Sequence, residues 1–294
     1  MSDRRRFTLA ALGLALGLAF PATQAAELTT ALQIMQAVDE FDDGDHMVAD
    51  VELLLTDRQG TQQTKRFQRY LRNGVNPKDK YSYIQFYEPK LLSGTTVLAY
   101  DYRDHRKDND SWIYIPEIGK VKRLTSSERT GKLMGSDISY GDLTKRKIEN
   151  YDFTLLGEPT VGAWKTWLIE FVPKTEEEVQ RFGYLKGQVW VDRQSLRIVR
   201  SIFWKAENGQ TKLFDVKKME LIDNIWTPTD MVFVTQQNGT TVHHTAMKFS
   251  AVHYNRPVAD HLFTPEGMAR TPASAQVGAA ALPPGPGAAK RGTL

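Results

Sequence analysis

The sequence contains no cysteine in 294 residues, and this absence excludes several kinds of chemistry at once. Disulfides, thiolate metal ligands and cysteine nucleophiles all require that residue. An acyl anchor of the bacterial lipoprotein type also needs a cysteine directly after the signal sequence, so this chain cannot carry one. We therefore expect an ordinary apolar core to hold the protein together, and about 245 ordered residues are ample for that.

The chain also lacks a large excess of charge of either sign. The chain has 38 basic and 35 acidic residues, and the part after residue 25 has 35 and 34. Bulk charge therefore gives no basis for nucleic-acid binding. Two local basic runs, at residues 120–123 and 145–147, are either solvated edges or a docking patch for an acidic partner or a phospholipid headgroup.

Motifs for catalysis or metal binding are also missing. The sequence has no G-x-S-x-G elbow, no H-E-x-x-H or H-x-H pattern and no glycine-rich phosphate loop. Ser136 and Ser139 flank Asp137, but no histidine lies near them in the sequence. His243 and His244 are neighbours in a predicted strand, so they point to opposite faces and cannot chelate one metal together. We expect no catalytic residue, no metal and no cofactor, because an enzyme would need a convergent site that these spacings do not show.

The two ends of the chain differ from its middle. Three arginines precede an apolar run at residues 8–20, and a small-x-small pattern ends at Ala25, which predicts a signal peptide over residues 1–25 and export to the periplasm. The adjacent arginines leave Sec and twin-arginine export both open. No later stretch reaches the roughly 18 apolar residues of a membrane span. Residues 271–294 are rich in Ala, Pro and Gly and predict a disordered tail, which leaves 26–270 as one domain.

Between these ends the pattern is mainly β with a few α-helices. Leu28, Leu32, Met35 and Val38 recur at helical spacing and predict a helix over residues 27–41 that ends in an acidic turn. Short apolar-polar runs with turn residues between them predict thirteen strands, near residues 47–56, 62–71, 81–87, 95–102, 111–115, 120–124, 151–157, 163–173, 187–192, 198–205, 212–222, 227–236 and 240–254.

The turns predict an antiparallel sheet with apolar residues on both faces. Tight connections such as Asn73-Gly74 and Asn238-Gly239 fit only hairpins. Around them, Tyr81 and Tyr83 alternate with Ile84 and Phe86, so neither face is purely polar. Such a sheet is either sandwiched or curled around a cavity lined by side chains, and a packed β core without a cavity is the alternative.

Several runs of residues resemble a known family. They are Pro89 with Gly94-Thr95 and the strand at 96–100, Trp112-Ile113-Tyr114-Ile115-Pro116, Lys120-Val121-Lys122-Arg123-Leu124, Met134-Gly135-Ser136-Asp137-Ile138-Ser139-Tyr140-Gly141-Asp142-Leu143, Val189-Trp190-Val191-Asp192 and Leu262-Phe263-Thr264-Pro265. Together they resemble the outer membrane lipoprotein-sorting family, the LolA/LolB-like periplasmic carriers, over residues 28–268. The run at 134–143 is the most specific and is typical of a divergent branch.

The resemblance implies a strongly curved antiparallel sheet of about eleven strands, an open half-barrel with helices plugging its concave face. It also implies a non-enzymatic carrier that binds the acyl chains of a lipid or lipoprotein for transfer towards the outer membrane. An inner-membrane transporter of the RND/MMPL-like or ABC type and a transient contact with the membrane surface are the implied partners. An envelope lipid or lipoprotein sensor of the same fold is the alternative function.

The same resemblance suggests where cargo would bind. We predict that residues 125–134 and 135–143 form a lid, with Gly131 and Gly135 as hinges, because glycine absorbs backbone changes easily. Ser136 and Asp137 belong to that lid, and Asp137 is expected to cap the short helix after it. The predicted lining residues of the cavity are aromatic or aliphatic: Phe86, Tyr100, Trp112, Tyr114, Leu133, Met134, Tyr140 and Trp190.

Overall fold

A computed structural model describes residues 28–206 and 209–270, so the predicted signal peptide and the predicted tail lie outside the described residues. The four α-helices are Ala31–Asp39 (α1), Ser126–Arg129 (α2), Glu176–Phe182 (α3) and Pro265–Met268 (α4). The strands are His46–Asp57 (β1), Gln62–Asn73 (β2), Lys80–Glu88 (β3), Thr96–Asp101 (β4), Asp110–Ile115 (β5), Lys120–Arg123 (β6), Tyr151–Gly157 (β7), Thr160–Val161 (β8), Trp164–Pro173 (β9), Tyr184–Asp192 (β10), Ile198–Lys205 (β11), Gln210–Ile222 (β12), Ile225–Gln237 (β13) and Thr240–Tyr254 (β14). None of the helices in the described part of the chain is long and apolar enough to cross a membrane.

All the strands belong to one antiparallel arrangement. Their order is β6-β5-β4-β3-β2-β1-β14-β13-β12-β11-β10-β9-β7, and β8 pairs with β9 outside this path. The described residues form fourteen strands, so the expectation of about eleven was too low. The thirteen strands predicted from the alternation are all present, and the fourteenth has only two residues, which is too short to give a period-two pattern.

This strand order makes the chain cross the sheet once. The chain builds one arm outward from β1 to the edge strand β6, and the next long strand, β7, is the opposite edge. Residues 124–150, called the crossing segment below, connect these two edges. The chain then builds the second arm inward until β14 pairs with β1. A connection between opposite edges has to run over a face of the sheet, so the topology itself places the crossing segment there.

The sheet is strongly curved. In a flat sheet β5 and β10 would lie roughly 43 Å apart, because nine strand spacings separate them. Arg181, which shortly precedes β10, nevertheless forms an ion pair with Asp108, which shortly precedes β5. The two arms therefore bend towards each other. An open antiparallel sheet bent in this way is consistent with the predicted half-barrel.

Helix α1 begins with a capping box in which Thr30 accepts from the Gln33 backbone and the Gln33 side chain accepts from Thr30. Its buried face consists of Ala31, Ile34 and Met35. Leu32, which was predicted to lie on that face, is 46% exposed. The first buried residue of the helix is Ala31. Leu28 precedes the helix, because the helix begins later than the predicted residue 27.

Three clusters of buried side chains organise the molecule. The central core lies on the face that the crossing segment covers, called the inner face, and includes Leu53, Phe86, Met231, Met247 and the segment's own Leu133. The second core lies beside it on the inner face, between α1 and strands β7, β9, β10 and β11. The third core lies on the outer face, where the C-terminal residues Leu262, Phe263 and Met268 cover the tyrosines of β2 and β3.

Candidate functional site

The crossing segment covers the centre of the inner face with apolar side chains. Leu133 and Ile138 are 1% and 6% exposed and belong to the central core. Met134 and Tyr140 are partly buried against the same core. Leu133 lies in a short 3-10 turn and Ile138 in irregular backbone, so neither comes from a strand or an α-helix. Turns, and not α-helices, cover the centre of this core. The expected plugging of the face by helices therefore stays a prediction.

A tight turn presents these side chains. Lys132 bridges Ser139, the Leu133 N–H donates to the Ile138 carbonyl at 2.7 Å, and the turn reverses at Met134 and Gly135 with φ of 47° and 80°. Gly135 fits this left-handed backbone because it has no Cβ. Ser136 stabilises the turn, since its hydroxyl donates to the Leu133 carbonyl at 2.8 Å. The hinge role of Gly131 and Gly135 stays a prediction.

Asp137 fastens the turn to the sheet. Its side chain is 0% exposed, and its carboxylate accepts hydrogen bonds from Thr235 at 2.6 Å and Thr245 at 2.7 Å and contacts His243 Nδ1 at 2.7 Å. The Asp137 N–H donates to the Thr245 hydroxyl at 3.0 Å. The expected helix cap is therefore wrong, because a buried carboxylate takes the donors that strands β13 and β14 offer it. The turn after it is stabilised instead by Asp142, which accepts from the Ser139 N–H at 2.8 Å.

A second buried polar group lies further along the crossing segment. The Asp142 carboxylate contacts the Lys212 ammonium and the Arg146 guanidinium, the latter at 3.4 Å, and accepts from the Tyr184 hydroxyl at 3.2 Å. Burial alone would raise the pKa of the Asp142 carboxyl, but the two cations outweigh burial and hold that pKa well below its usual value. For Lys212, burial would lower the pKa, and Asp142 outweighs it and raises the pKa. Both groups are therefore charged at neutral pH and tie the segment to β10 and β12.

The predicted lining residues divide between the two faces of the sheet. Phe86 is fully buried in the central core, and so is Leu133. Met134 and Tyr140 are partly buried and pack against that core. Tyr100, Trp112 and Tyr114 pack around the third core on the outer face, where Tyr100 stacks on Tyr81 with ring centroids 4.0 Å apart. Trp190 is partly buried and packs against the central core, although its neighbours Val189 and Val191 belong to the second core.

An open apolar cavity lies beside the covered centre. It has a volume of about 310 Å³ and lies between α1, the end of the crossing segment and strands β7, β9, β10 and β11. Its apolar walls include Met35, Ile148, Phe171 and Phe203. Such a volume is at the lower limit of small-ligand pockets, which span about 300–1,000 Å³.

Three cationic residues, Lys145, Arg146 and Arg197, also line this cavity. The guanidinium of Arg146 lies among four aromatic rings, 4.7–5.7 Å from the centroids of Phe171, Phe182, Tyr184 and Phe203. Arg197 lies 3.9 Å from the ring centroid of Phe41 and donates through Nε to the Trp226 carbonyl at 2.9 Å. The cavity therefore combines apolar walls with fixed positive charge.

The apolar walls and the cationic groups of the cavity can bind a ligand. The Asp137–His243 contact resembles half of a hydrolase triad, but no hydroxyl of the described residues hydrogen-bonds to the other ring nitrogen of His243. The described ranges also hold no group of three His, Asp or Glu side chains placed to bind a metal.

Asp137 was predicted from the sequence as a site residue, but the partners of the two buried carboxylates were missed. His243 is 106 residues from Asp137, and Lys212 is 70 residues from Asp142. No spacing rule connects positions so far apart. Lys212 follows Gln210 and Thr211 in a strand that holds further lysines, so no feature of the strand's pattern marked it as the buried partner of Asp142.

Comparisons with known proteins agree with this architecture. A family model with the description "Uncharacterized protein" matches residues 78–270, more than half of the chain. None of the curated proteins matches the sequence.

Solved structures share the fold. A DUF1329 family protein from Desulfovibrio piger is 25% identical, covers 81% of this chain and 97% of its own, and superposes with a TM-score of 0.74. A domain described as an outer membrane lipoprotein-sorting protein from Vibrio parahaemolyticus is 22% identical, with coverage of 82% and 98% and a TM-score of 0.72. A LolA superfamily protein from Nitrosomonas europaea is 18% identical, with coverage of 80% and 98% and a TM-score of 0.60.

The last two similarities concern the fold alone, and the family model concerns the sequence itself. The run at 134–143, on which the predicted resemblance depends most, lies inside the matched residues and forms the turn that covers the inner face. The chain belongs to the family of that model, a divergent branch with the fold of the LolA-like outer membrane lipoprotein-sorting proteins.

Proposed function

We propose that this protein is a carrier that holds the acyl chains of a lipid or lipoprotein against the inner face of its sheet and does no chemistry on them. The observation that carries the proposal is the irregular crossing segment, whose Leu133 and Ile138 fill the centre of an otherwise strand-built core. A covering that belongs to no strand can move away while the ladder of the sheet stays intact.

The energetics favour an exchange of these side chains for cargo. Burying one methylene contributes about 0.8 kcal/mol, so a chain of about twelve contributes about 10 kcal/mol before the cost of association. Uncovering Leu133 and Ile138 costs about 1.5–3 kcal/mol each. Burial of the chain therefore exceeds the cost of uncovering these two side chains by about 4–7 kcal/mol, which is available to offset the cost of association. The turn closes again when the chain leaves.

Cargo enters through the open cavity in this proposal. The cavity lies against residues 144–148, at the end of the same crossing segment that covers the central core. A shift of that segment joins the cavity to the inner face and gives one longer apolar groove. Phe86, Leu133, Met134 and Tyr140 then become the lining residues of the enlarged site.

The cellular setting belongs to the same proposal. The predicted signal peptide supports a periplasmic location, where an inner-membrane transporter of the RND/MMPL-like or ABC type would load the cargo for transfer towards the outer membrane. The basic edge strand β6 would touch the membrane surface only transiently. The family resemblance supports these roles.

A disulfide across the turn tests whether the crossing segment must move. Asp137 and Thr245 already touch, with the carboxylate 2.7 Å from the hydroxyl, and the chain has no cysteine of its own to compete. In the double variant Asp137→Cys, Thr245→Cys, we expect the oxidised protein to take up a fluorescent acyl probe at least about tenfold less than the same protein after reduction.

The two single-cysteine variants are the matched controls, because oxidation cannot close a bond in either monomer. Their probe uptake should not respond to reductant. Equal uptake by the oxidised and reduced double variant, with the bond verified by mass, would show that the crossing segment does not gate the site. Absence of uptake by the wild-type protein would contradict the carrier function itself.

A further inference from the structure

The charge around the apolar cavity is one-sided. Lys145, Arg146 and Arg197 line it, and Asp39 is the one acidic residue among its described lining residues. Asp39 already forms an ion pair with Arg103, which is not among the lining residues. An amphiphile with its chain in the cavity would therefore meet positive charge.

Arg197 has the more open binding capacity of the two arginines. Nε is occupied by the Trp226 carbonyl at 2.9 Å, and no carboxylate of the described residues lies within ion-pair distance of the guanidinium. Asp43, the carboxylate whose charge acts most on Arg197, is already paired with Lys80 at 2.7 Å and with Lys145 at 3.5 Å. Burial lowers the pKa of Arg197, against the opposing effect of Tyr254 and Asp43, which means that its charge is poorly solvated where it lies.

Arg146 is held in place more firmly. Four aromatic rings surround its guanidinium, and Asp142 contacts it at a long 3.4 Å. Its Nε is buried and has no hydrogen-bond partner. An arginine fixed by rings, with donors left over, is preorganised for a planar or tetrahedral anion.

We infer that the cargo is an amphiphile with an anionic head, a carboxylate or a phosphate, which Arg146 and Arg197 bind while the acyl chain lies in the apolar cavity between α1 and β11. This inference rests on the proposed carrier function and adds the chemistry of the headgroup to it. Apolar walls alone would accept any acyl chain. Two arginines with few hydrogen-bond and ion-pair partners instead select against neutral and cationic headgroups.

Calorimetric titration of the full chain with matched twelve-carbon amphiphiles tests the inference. The ligands are dodecanoate, dodecyl phosphate, methyl dodecanoate and dodecylammonium, all below their micelle concentrations. We expect the two anions to bind at least about tenfold tighter than the methyl ester, and the ammonium to bind weakest. The preference should shrink as salt is raised, and inorganic phosphate without a chain should not compete.

Two variants assign the preference to residues. Arg197→Gln and Arg146→Gln should each reduce the ratio of dodecanoate affinity to methyl dodecanoate affinity several-fold. Arg197→Lys should keep much of the preference because it keeps the charge. Arg200→Gln is the matched control, since Arg200 lies on β11 shortly after Arg197 but pairs with Asp215 at 2.6 Å and does not line the cavity.

The outcomes separate the two levels of the proposal. Equal binding of acid and ester by the wild-type protein would overturn the anionic-head inference and leave the carrier function intact. A variant that weakens acid and ester alike would overturn the headgroup role of that arginine. Failure of every amphiphile to bind would contradict the carrier function and this inference together.

Discussion

At the scale of single residues, Asp137 decides how firmly the crossing segment is held. Its carboxylate is 0% exposed and meets Thr235, Thr245 and His243. Asp137→Asn keeps the shape but removes the charge from these contacts, so we expect the free energy of unfolding to fall by about 1–3 kcal/mol. Hydrogen exchange should also become faster at residues 133–140. Asp152→Asn, at a 77% exposed position on β7, is the control and should change neither quantity.

Lys212 and Asp142 give a prediction that depends on pH. The folded pKa of Asp142 lies below its usual 3.8, so the ionised carboxylate stabilises the fold above that pH, and this stability is lost as the pH falls through the folded value. Lys212→Met leaves the buried carboxylate with Arg146 alone at 3.4 Å. We expect a loss of about 3 kcal/mol at pH 7.

Urea denaturation at pH 7 and pH 4 measures this effect. The difference between variant and wild type should shrink at pH 4, because without Lys212 the buried Asp142 can take up a proton in the variant, whereas in the wild type it stays ionised. Lys218→Met is the control, since Lys218 is 62% exposed on the same strand and pairs with Glu220 at the surface. If Lys212→Met unfolded at the same urea concentration as the control at pH 7, the pair would not hold the segment.

Residue types in the crossing segment were predictable, but their partners were not. The run at 134–143 marked the segment, and Leu133, Met134 and Tyr140 do belong to or pack against the same core as Phe86. Tyr100, Trp112 and Tyr114 lie on the outer face, because a strand turns its side chains alternately and the sequence does not say which face is inner. The C-terminal residues that cover them supply that information only in the folded state.

At the scale of elements, the turn at Gly135 is the part of the crossing segment with the most demanding backbone. Its φ of 80° is left-handed, so Gly135→Ala should lower the free energy of unfolding by about 1 kcal/mol. The same change should speed uptake of an acyl probe, because a strained turn releases Leu133 and Ile138 more readily.

Gly60→Ala is a closely matched control for that variant. Gly60 has φ of 84° at the β1–β2 hairpin tip, and a Cβ there would meet nothing within 4 Å, while one at Gly135 would meet only the Lys65 ammonium at 3.6 Å. Both variants should lose similar stability in urea, but only Gly135→Ala should alter uptake. An equal acceleration by Gly60→Ala would mean that uptake follows global stability instead of the turn.

Elements with a strong local pattern were predicted well. Hairpin turns and alternation identified thirteen strands, whereas the two-residue β8 has no pattern of its own. Helix α1 begins at its capping box instead of four residues earlier, since Thr30 and Gln33 satisfy the free amides there. The strand count of about eleven came from the family resemblance, and this chain builds longer arms.

At the scale of the whole molecule, the order of the strands produces the site. Because β6 and β7 are opposite edges of one sheet, the connection between them must pass over a face. That face is the inner face, where apolar side chains of residues 133–140 complete the central core. One irregular connection thus both completes the core and covers the surface on which we propose that acyl chains bind.

Native mass spectrometry with lipid extraction tests this account most directly. The protein would be purified from a periplasmic fraction without detergent and examined for bound lipid. The account predicts a stoichiometric acylated species, whose extracted head is anionic if Arg146 and Arg197 bind it. An empty protein that also fails to take up a fluorescent acyl probe would contradict the carrier function and favour a sensor of the same fold.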